Sequence, residues 1–175
     1  MEEVFNHLYK KYHQDVFNFL YYMVHNREQA EDLVQEVYIR VLKAYQQFKG
    51  DCSEKTWLFA IARNVAIDSF RKNKGWKQRI IDQFDSWEQQ VKDESISPEE
   101  SAFQKLDTQN MFKCLEQCTL DQKSVIILRF LQELSIYETA KVLGWKESKV
   151  KTTQHRAIKQ LKILMEEISN REKAG

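Results

Sequence analysis

The stretch from Ser135 to Met165 reads SIYETAKVLGWKESKVKTTQHRAIKQLKILM, and it decides the fold of the second half of the chain. Ser135 offers a hydroxyl to cap a helix, and Glu138, three residues on, completes a capping box. Ile136, Ala140 and Leu143 give that helix an apolar side. Gly144 falls where a helix C-terminus calls for a left-handed residue. In the next segment Val150, Ala157, Ile158, Leu161, Leu164 and Met165 recur at three- and four-residue steps, so they face inward together. Lys151, Thr152, His155, Arg156, Lys159 and Lys162 then share the outer face. A short helix, a glycine turn and a second helix with a basic outer face is the layout of a helix-turn-helix, whose second helix enters the major groove. Duplex DNA is the ligand this segment implies.

Working outward, 175 residues with 42% hydrophobic content fit one large domain or two small ones. Four Gly, one Pro and few alternating apolar runs predict an all-α chain. No segment approaches the roughly 18 to 20 uncharged apolar residues of a membrane span. The opening MEEVFNHLYKKYHQ has neither the basic-then-apolar order of a signal peptide nor the composition of a transit peptide, which implies a cytoplasmic protein. Cys52, Cys114 and Cys118 are too few for a disulfide framework, and with no further Cys or His in a metal-binding pattern no metal is assigned. The net charge of +1 conceals two opposed segments. Lys141 to Lys162 holds seven bases against Glu147 alone, whereas Asp82 to Glu100 holds seven acids against Lys92. The basic segment, not the total, carries the nucleic-acid signal.

Helical periodicity begins with Phe5, Leu8, Tyr9, Tyr12, Val16, Phe19, Leu20 and Met23, and is interrupted at His25 to Glu28. Ala30, Leu33, Val34, Val37, Tyr38, Val41, Leu42 and Tyr45 mark a second amphipathic helix. The loop FKGDCS (Phe48 to Ser53) follows, with Asp51 or Ser53 able to cap a third helix from Glu54 to about Lys74. Trp57, Leu58, Ile61, Ala62 and Val65 turn inward on it. Residues 76–101 read as an acidic, flexible linker containing Pro98, with a partly helical patch near 77–84 and with Trp76 and Trp87 expected to dock on a domain or partner. A second domain starts near Ala102, with Phe103, Leu106, Met111, Leu115 and Cys118 on its first stripe and VIILRFL (Val125 to Leu131) as a buried helix. The expected organisation is two small helical domains, 1–75 and 102–175, joined by the 76–101 tether.

Lys151, Thr152, His155 and Arg156 occupy the first turns of the recognition helix, where base contacts occur, and Lys159 lies where phosphate runs. The second helix presents Glu31, Asp32, Gln35, Glu36 and Arg40. Its acids fit the helix dipole as simple stabilisers, and they fit equally a docking face for a basic partner helix. Lys49, Lys55, Arg63, Asn64, Arg71, Lys72 and Lys74 gather on the third helix and its entry loop, a composition suited to single-stranded or partly opened DNA. No HExxH, P-loop, glycine-rich phosphate cradle or nucleophile elbow is present, so the chain reads as a non-enzyme needing no cofactor.

The ordered combination of DLVQEV (Asp32 to Val37), KTWLFAIARN (Lys55 to Asn64) and KVKTTQHRA (Lys149 to Ala157) resembles the extracytoplasmic-function sigma factors of the sigma-70 family, nearest to the sigma-X kind of firmicutes. The resemblance implies a sigma-2-like helical bundle and a sigma-4-like helix-turn-helix. It implies that Asp32, Gln35 and Glu36 dock on the β′ clamp helices of core RNA polymerase, with the second domain near the β flap. Phe48, Lys49, Gly50, Asp51 and Asn64 match the positions that capture a flipped non-template base at the −10 element, with Arg63, Arg71 and Lys72 on the strand backbone. Lys151, Thr152, His155, Arg156 and Lys159 match those that read duplex DNA at the −35 element, with Arg129 as a phosphate contact. The acidic linker would thread polymerase toward the RNA exit path, and a membrane-anchored anti-sigma factor would hold the protein inactive, without direct membrane insertion of this chain. Lys146 and Ser148 stand where the family commonly has Pro and Gly, which bears on the turn into the recognition helix.

A stand-alone helix-turn-helix regulator is the competing expectation. It predicts palindromic duplex binding without polymerase, and it leaves the Lys49 to Asn64 group without a role.

Overall fold

The computed structural model describes residues 2–72 and 108–175. Among them the chain forms seven α-helices and no strand, the all-α class expected. Helix α1 spans Glu2–Val24 and α2 spans Arg27–Ala44. The short corner between them has His25 in the left-handed region (φ 57°), and Asn26 caps α2 by accepting the Gln29 backbone N–H at 2.8 Å. A single 3₁₀ turn, Tyr45–Gln47, leads into the exposed loop before α3, Glu54–Arg71. Of the two caps the sequence offers for α3, Ser53 is the one used: its Oγ accepts the Thr56 N–H at 3.1 Å.

These three helices pack pairwise because each carries one apolar stripe. Leu8, Val16, Phe19, Leu20 and Met23 of α1 meet Ala30, Val37, Tyr38 and Val41 of α2 and Leu58, Phe59, Ala62, Val65 and Ala66 of α3. Phe19 and Phe59 lie at the centre, ring centroids 5.5 Å apart. Trp57 leans on Phe48 (4.9 Å) and Tyr45 (6.2 Å), so its ring props the loop while also packing on the core.

The second group comprises α4 (Thr108–Glu116), α5 (Leu120–Ile126), α6 (Ile136–Leu143) and α7 (Glu147–Ala174). Thr119 and Gln122 form a capping box at α5 that the sequence reading had not singled out. Beyond α5 the backbone widens into a π-type turn, Ile127–Leu131, where Gln132 N–H reaches Ile127 O at 2.9 Å. Val125, Ile126, Ile127 and Leu128 are fully enclosed, which explains the unbroken apolar run there: all sides of this segment face protein. The expected linker, its boundaries, Trp76, Trp87 and the 77–84 patch lie outside the described residues.

The two groups share one continuous apolar core. Helix α6 lies along α3, and the π-type turn touches α1. Phe112 of α4 inserts between Tyr21, Tyr22 and His25 at the end of α1, with centroid distances of 4.9, 5.0 and 4.1 Å.

The Ser135–Glu138 capping box and the left-handed Gly144 (φ 69°) are both present as read, with the N–H groups of Gly144 and Trp145 on Ala140 O. Nothing lies within 4 Å of a Cβ built on Gly144. Gly144→Ala therefore meets only the backbone cost of a left-handed L-residue, about 1–2 kcal/mol. That is expected to lower Tm by about 2–4 °C per kcal/mol, measured by calorimetry.

Candidate nucleic-acid and polymerase interfaces

On α7, Lys151 and Lys159 are exposed, and Thr152, His155 and Arg156 are half-buried on the same side, so the structure brings together the five predicted duplex-reading residues of this helix. Thr153 and Gln154 are buried beneath them. Lys146 occupies the N-cap of α7 and makes no side-chain capping bond, the point where this turn differs from the Pro and Gly pattern. Trp145 fills the turn, and the Lys149 ammonium sits 3.8 Å from its ring centroid.

Arg129, the phosphate contact implied by the resemblance, is engaged within the fold. Its Nε donates to Gln154 Oε1 at 2.8 Å and its Nη1 to Leu134 O at 2.7 Å, so it ties the π-type turn to α7 and to the entry of α6. The resemblance alone had suggested the phosphate contact, and the wide turn sets Arg129 against α7. These bonds hold α7 in position.

At the other candidate DNA face, Lys49, Gly50 (φ 78°) and Asp51 are exposed, and Phe48 is half-buried on Trp57. Asn64, Arg71 and Lys72 are exposed on α3, with Arg71 4.0 Å from Asp68. Arg63 does not join them. Its side chain is 13% exposed, its nearest carboxylate is Asp121 of α5 at 3.9 Å, and its guanidinium lies 5.9 Å from the Trp145 ring centroid. Among the described residues its Nε has no hydrogen-bond partner. Burial lowers the Arg63 pKa, and Asp121 opposes that shift without cancelling it. The Cys52 thiol beside the loop is pushed up by burial and by Asp51, with Lys141 of α6 acting the other way. The thiol form is thus favoured, and nothing about Cys52 marks it as reactive.

On α2, Asp32 and Gln35 are exposed, and Glu36 is held at 3.1 Å by Arg40, which also reaches Asp68 of α3 at 2.9 Å. Beside this acidic face, α1 and α2 enclose a groove of about 710 Å³ whose lining includes Tyr9, His13, Gln35, Ile39 and Leu42. Tyr9, Ile39 and Leu42 are large apolar side chains left in water. The sequence reading counted Tyr9 and Leu42 toward the core. Their helical register is right, but among the described residues no neighbouring element covers that end of the stripe.

The sequence reading also missed Trp145 and Phe112, whose roles rest on contacts between the two groups of helices and leave no trace in local periodicity. Among the described residues all three cysteines are free, and no cluster of three His, Cys, Asp or Glu side chains is present.

Comparison with known proteins gives a consistent picture. Residues 8–75 match the family model for Sigma-70 region 2, and residues 108–161 match that for Sigma-70, region 4. The ECF RNA polymerase sigma factor SigX of Bacillus subtilis (strain 168) is 55% identical over 95% of this chain and 86% of that protein. The RNA polymerase sigma factor YlaC of the same organism is 34% identical over 89% of this chain and 88% of that protein. Among solved structures, the sigma factor RpoE in complex with the anti-sigma factor NepR from Bartonella quintana superposes with a TM-score of 0.70 at 24% identity, covering 94% of this chain and 98% of that one. CnrH in complex with the cytosolic domain of CnrY gives 0.69 at 18% identity over 95% of this chain and 90% of that one. At these identities the two structures speak to the fold alone.

Arg129→Met removes the donors for Gln154 and Leu134 O, and is expected to cost about 1–3 kcal/mol in denaturant unfolding. Lys159→Gln, on the exposed face, should stay within about 0.5 kcal/mol of the parent.

Proposed function

Because this chain belongs to the extracytoplasmic-function sigma factors of the sigma-70 family, we propose a division of labour along it: residues 1–75 dock on core polymerase and open the −10 element, residues 102–175 read the −35 element, and residues 76–101 connect them. The protein binds core RNA polymerase and directs it to promoters, and it is subject to an anti-sigma factor. On this reading it contributes recognition and strand capture, and the chemistry belongs to polymerase. As a reader of chromosomal DNA it works in the cytoplasm.

The observation that carries the assignment of the duplex-reading face is α7 itself: exposed Lys151 and Lys159 flank Thr152, His155 and Arg156 directly after a glycine-capped turn. Cations there neutralise phosphate, and the small polar and bidentate groups between them are the types that read base edges. Asp32, Gln35 and Glu36 receive the basic β′ clamp helices, with Ile39 and Leu42 supplying apolar contact beside them. Arg40, bonded to Glu36 and Asp68, keeps the carboxylate face in register across α2 and α3. Phe48, Lys49, Gly50, Asp51 and Asn64 border the pocket for the extruded base, and Arg63, Arg71 and Lys72 follow the strand backbone. Capture must offset an unstacking cost of a few kcal/mol, which an exposed loop propped from behind by Trp57 is suited to do. The second domain also meets the β flap, and the anti-sigma factor is membrane-anchored.

Transcription in vitro from a pool of random promoters, with bacterial core polymerase, tests this directly. Transcripts that depend on the protein and share two upstream motifs at fixed spacing are expected. Lys151→Gln and Arg156→Gln should each cost about 1–3 kcal/mol of promoter affinity. Asp32→Lys should abolish co-purification with core. Specific binding of free duplex with no initiation from any competent core would instead favour the stand-alone regulator.

A further inference from the structure

With α7 in the major groove, the helix before it has to cross the sugar-phosphate backbone of the duplex. Helix α6 has two distinct faces. Thr139, Ala140, Val142 and Leu143 are buried, whereas Tyr137, Lys141 and Gly144 are exposed at four- and three-residue steps and so share one outer ridge. Lys146, exposed in the turn that follows, comes next along the chain.

The stability of the fold does not account for this ridge. Tyr137 is 57% exposed, more than any other large hydrophobic side chain among the described residues. The Lys141 ammonium lies 5.5 Å from its ring centroid, which restricts a side chain that otherwise samples many rotamers. Lys146 is the N-cap of the 28-residue α7, where its cation opposes the helix dipole and its side chain makes no capping bond. Among the described residues neither Lys141 nor Lys146 forms an ion pair. Of the acids nearest in sequence, Glu138 is turned back onto the Ser135 N–H at 3.0 Å, and Glu147 lies in the first turn of α7. Lys149 behaves differently: it is drawn onto the Trp145 ring at 3.8 Å and burial lowers its pKa, so it belongs to the packing of the turn. Between the two exposed lysines, nothing lies within 4 Å of a Cβ built on Gly144, which leaves room for a close approach to the backbone.

We propose that Tyr137, Lys141 and Lys146 form a phosphate track along the outer edge of the helix-turn-helix, on which one strand bordering the −35 element lies while α7 occupies the groove. The two ammonium groups neutralise phosphates, and the Tyr137 hydroxyl donates to a phosphate oxygen. A phosphate opposite Lys146 also offsets the unfavourable placement of a cation at the start of α7. The track carries affinity and orientation but no sequence information. It rests on the reading of α7 as the duplex-reading helix.

The test uses core polymerase carrying the full chain, titrated onto a labelled duplex with both motifs recovered by the transcription selection, between about 50 and 200 mM salt. Each phosphate contact contributes about 0.9 to the slope of log affinity against log salt. Lys141→Gln and Lys146→Gln are each expected to reduce that slope by about one, so their deficit shrinks about threefold across this range. Tyr137→Phe keeps the ring beside Lys141, and should lose about fivefold in affinity at every salt concentration with the slope unchanged. Unfolding midpoints of all three variants should match the parent. Repeating the promoter selection with either lysine variant should return the parent's upstream motif, whereas Arg156→Gln relaxes it. Parent-like slopes in both lysine variants, lowered midpoints in them, or an upstream motif altered by them would overturn the track. A parent chain that yields no shared upstream motif would instead overturn the duplex-reading role of α7, and the track with it.

Discussion

Helix α3 has to satisfy two neighbours at once, and the rest of the molecule is arranged around that demand. One stripe, Leu58, Phe59, Ala62, Val65 and Ala66, closes the bundle with α1 and α2. The adjoining stripe, which includes Lys55 and Arg63, lies against the helices of the second half. Among the described residues, the strip through Asn64, Arg71 and Lys72 is exposed. An 18-residue helix surrounded in this way cannot tilt or rotate without disturbing one of its contacts. The loop ahead of it inherits that rigidity through Ser53 and Trp57, so Lys49, Gly50 and Asp51 project from a fixed base.

The same economy governs the second half. Val125 to Leu128 have no exposed side, and the π-type turn that follows redirects the chain so that Arg129 reaches Gln154 rather than water. Gln154 is therefore a support for the side chains above it. A small buried polar clip thus sits beneath Lys151, Thr152, His155 and Arg156, and on the proposed function their precise placement is what separates specific base contacts from a general attraction to phosphate.

Much of this was legible in the sequence where the deciding physics is local. The capping box at Ser135 and Glu138, the left-handed Gly144 and the inward series Val150, Ala157 and Leu161 each depend on residues within one or two turns. The surroundings of Arg129 and Arg63 were not legible, for different reasons. A helical wheel assigns direction from an ideal period of 3.6 residues, and the widened turn breaks that period at Arg129. For Arg63 the period holds, but a helix in a two-part chain has a third side, and only the packing of the second half decides whether that side meets water or protein. Tyr9 and Leu42 differ in the opposite sense: they share the stripe of residues that are buried, yet are exposed, with no element among the described residues covering that part of α1 and α2.

The cross-links between the two halves have a chemical asymmetry with evolutionary weight. Lys55, Lys123 and Gln132 each reach a backbone carbonyl, those of Gln132, Met23 and Asp15 respectively. Every amino acid offers that acceptor, so the receiving positions can mutate freely in side chain without erasing the bond, provided the helix holding the carbonyl keeps its course. Half of each link is thus encoded by shape instead of by residue type. These three links survive considerable sequence drift on their acceptor side, and selection on them falls on the donor side chains and the path of the backbone, unlike the side-chain pairs Glu116–His25 and Arg63–Asp121.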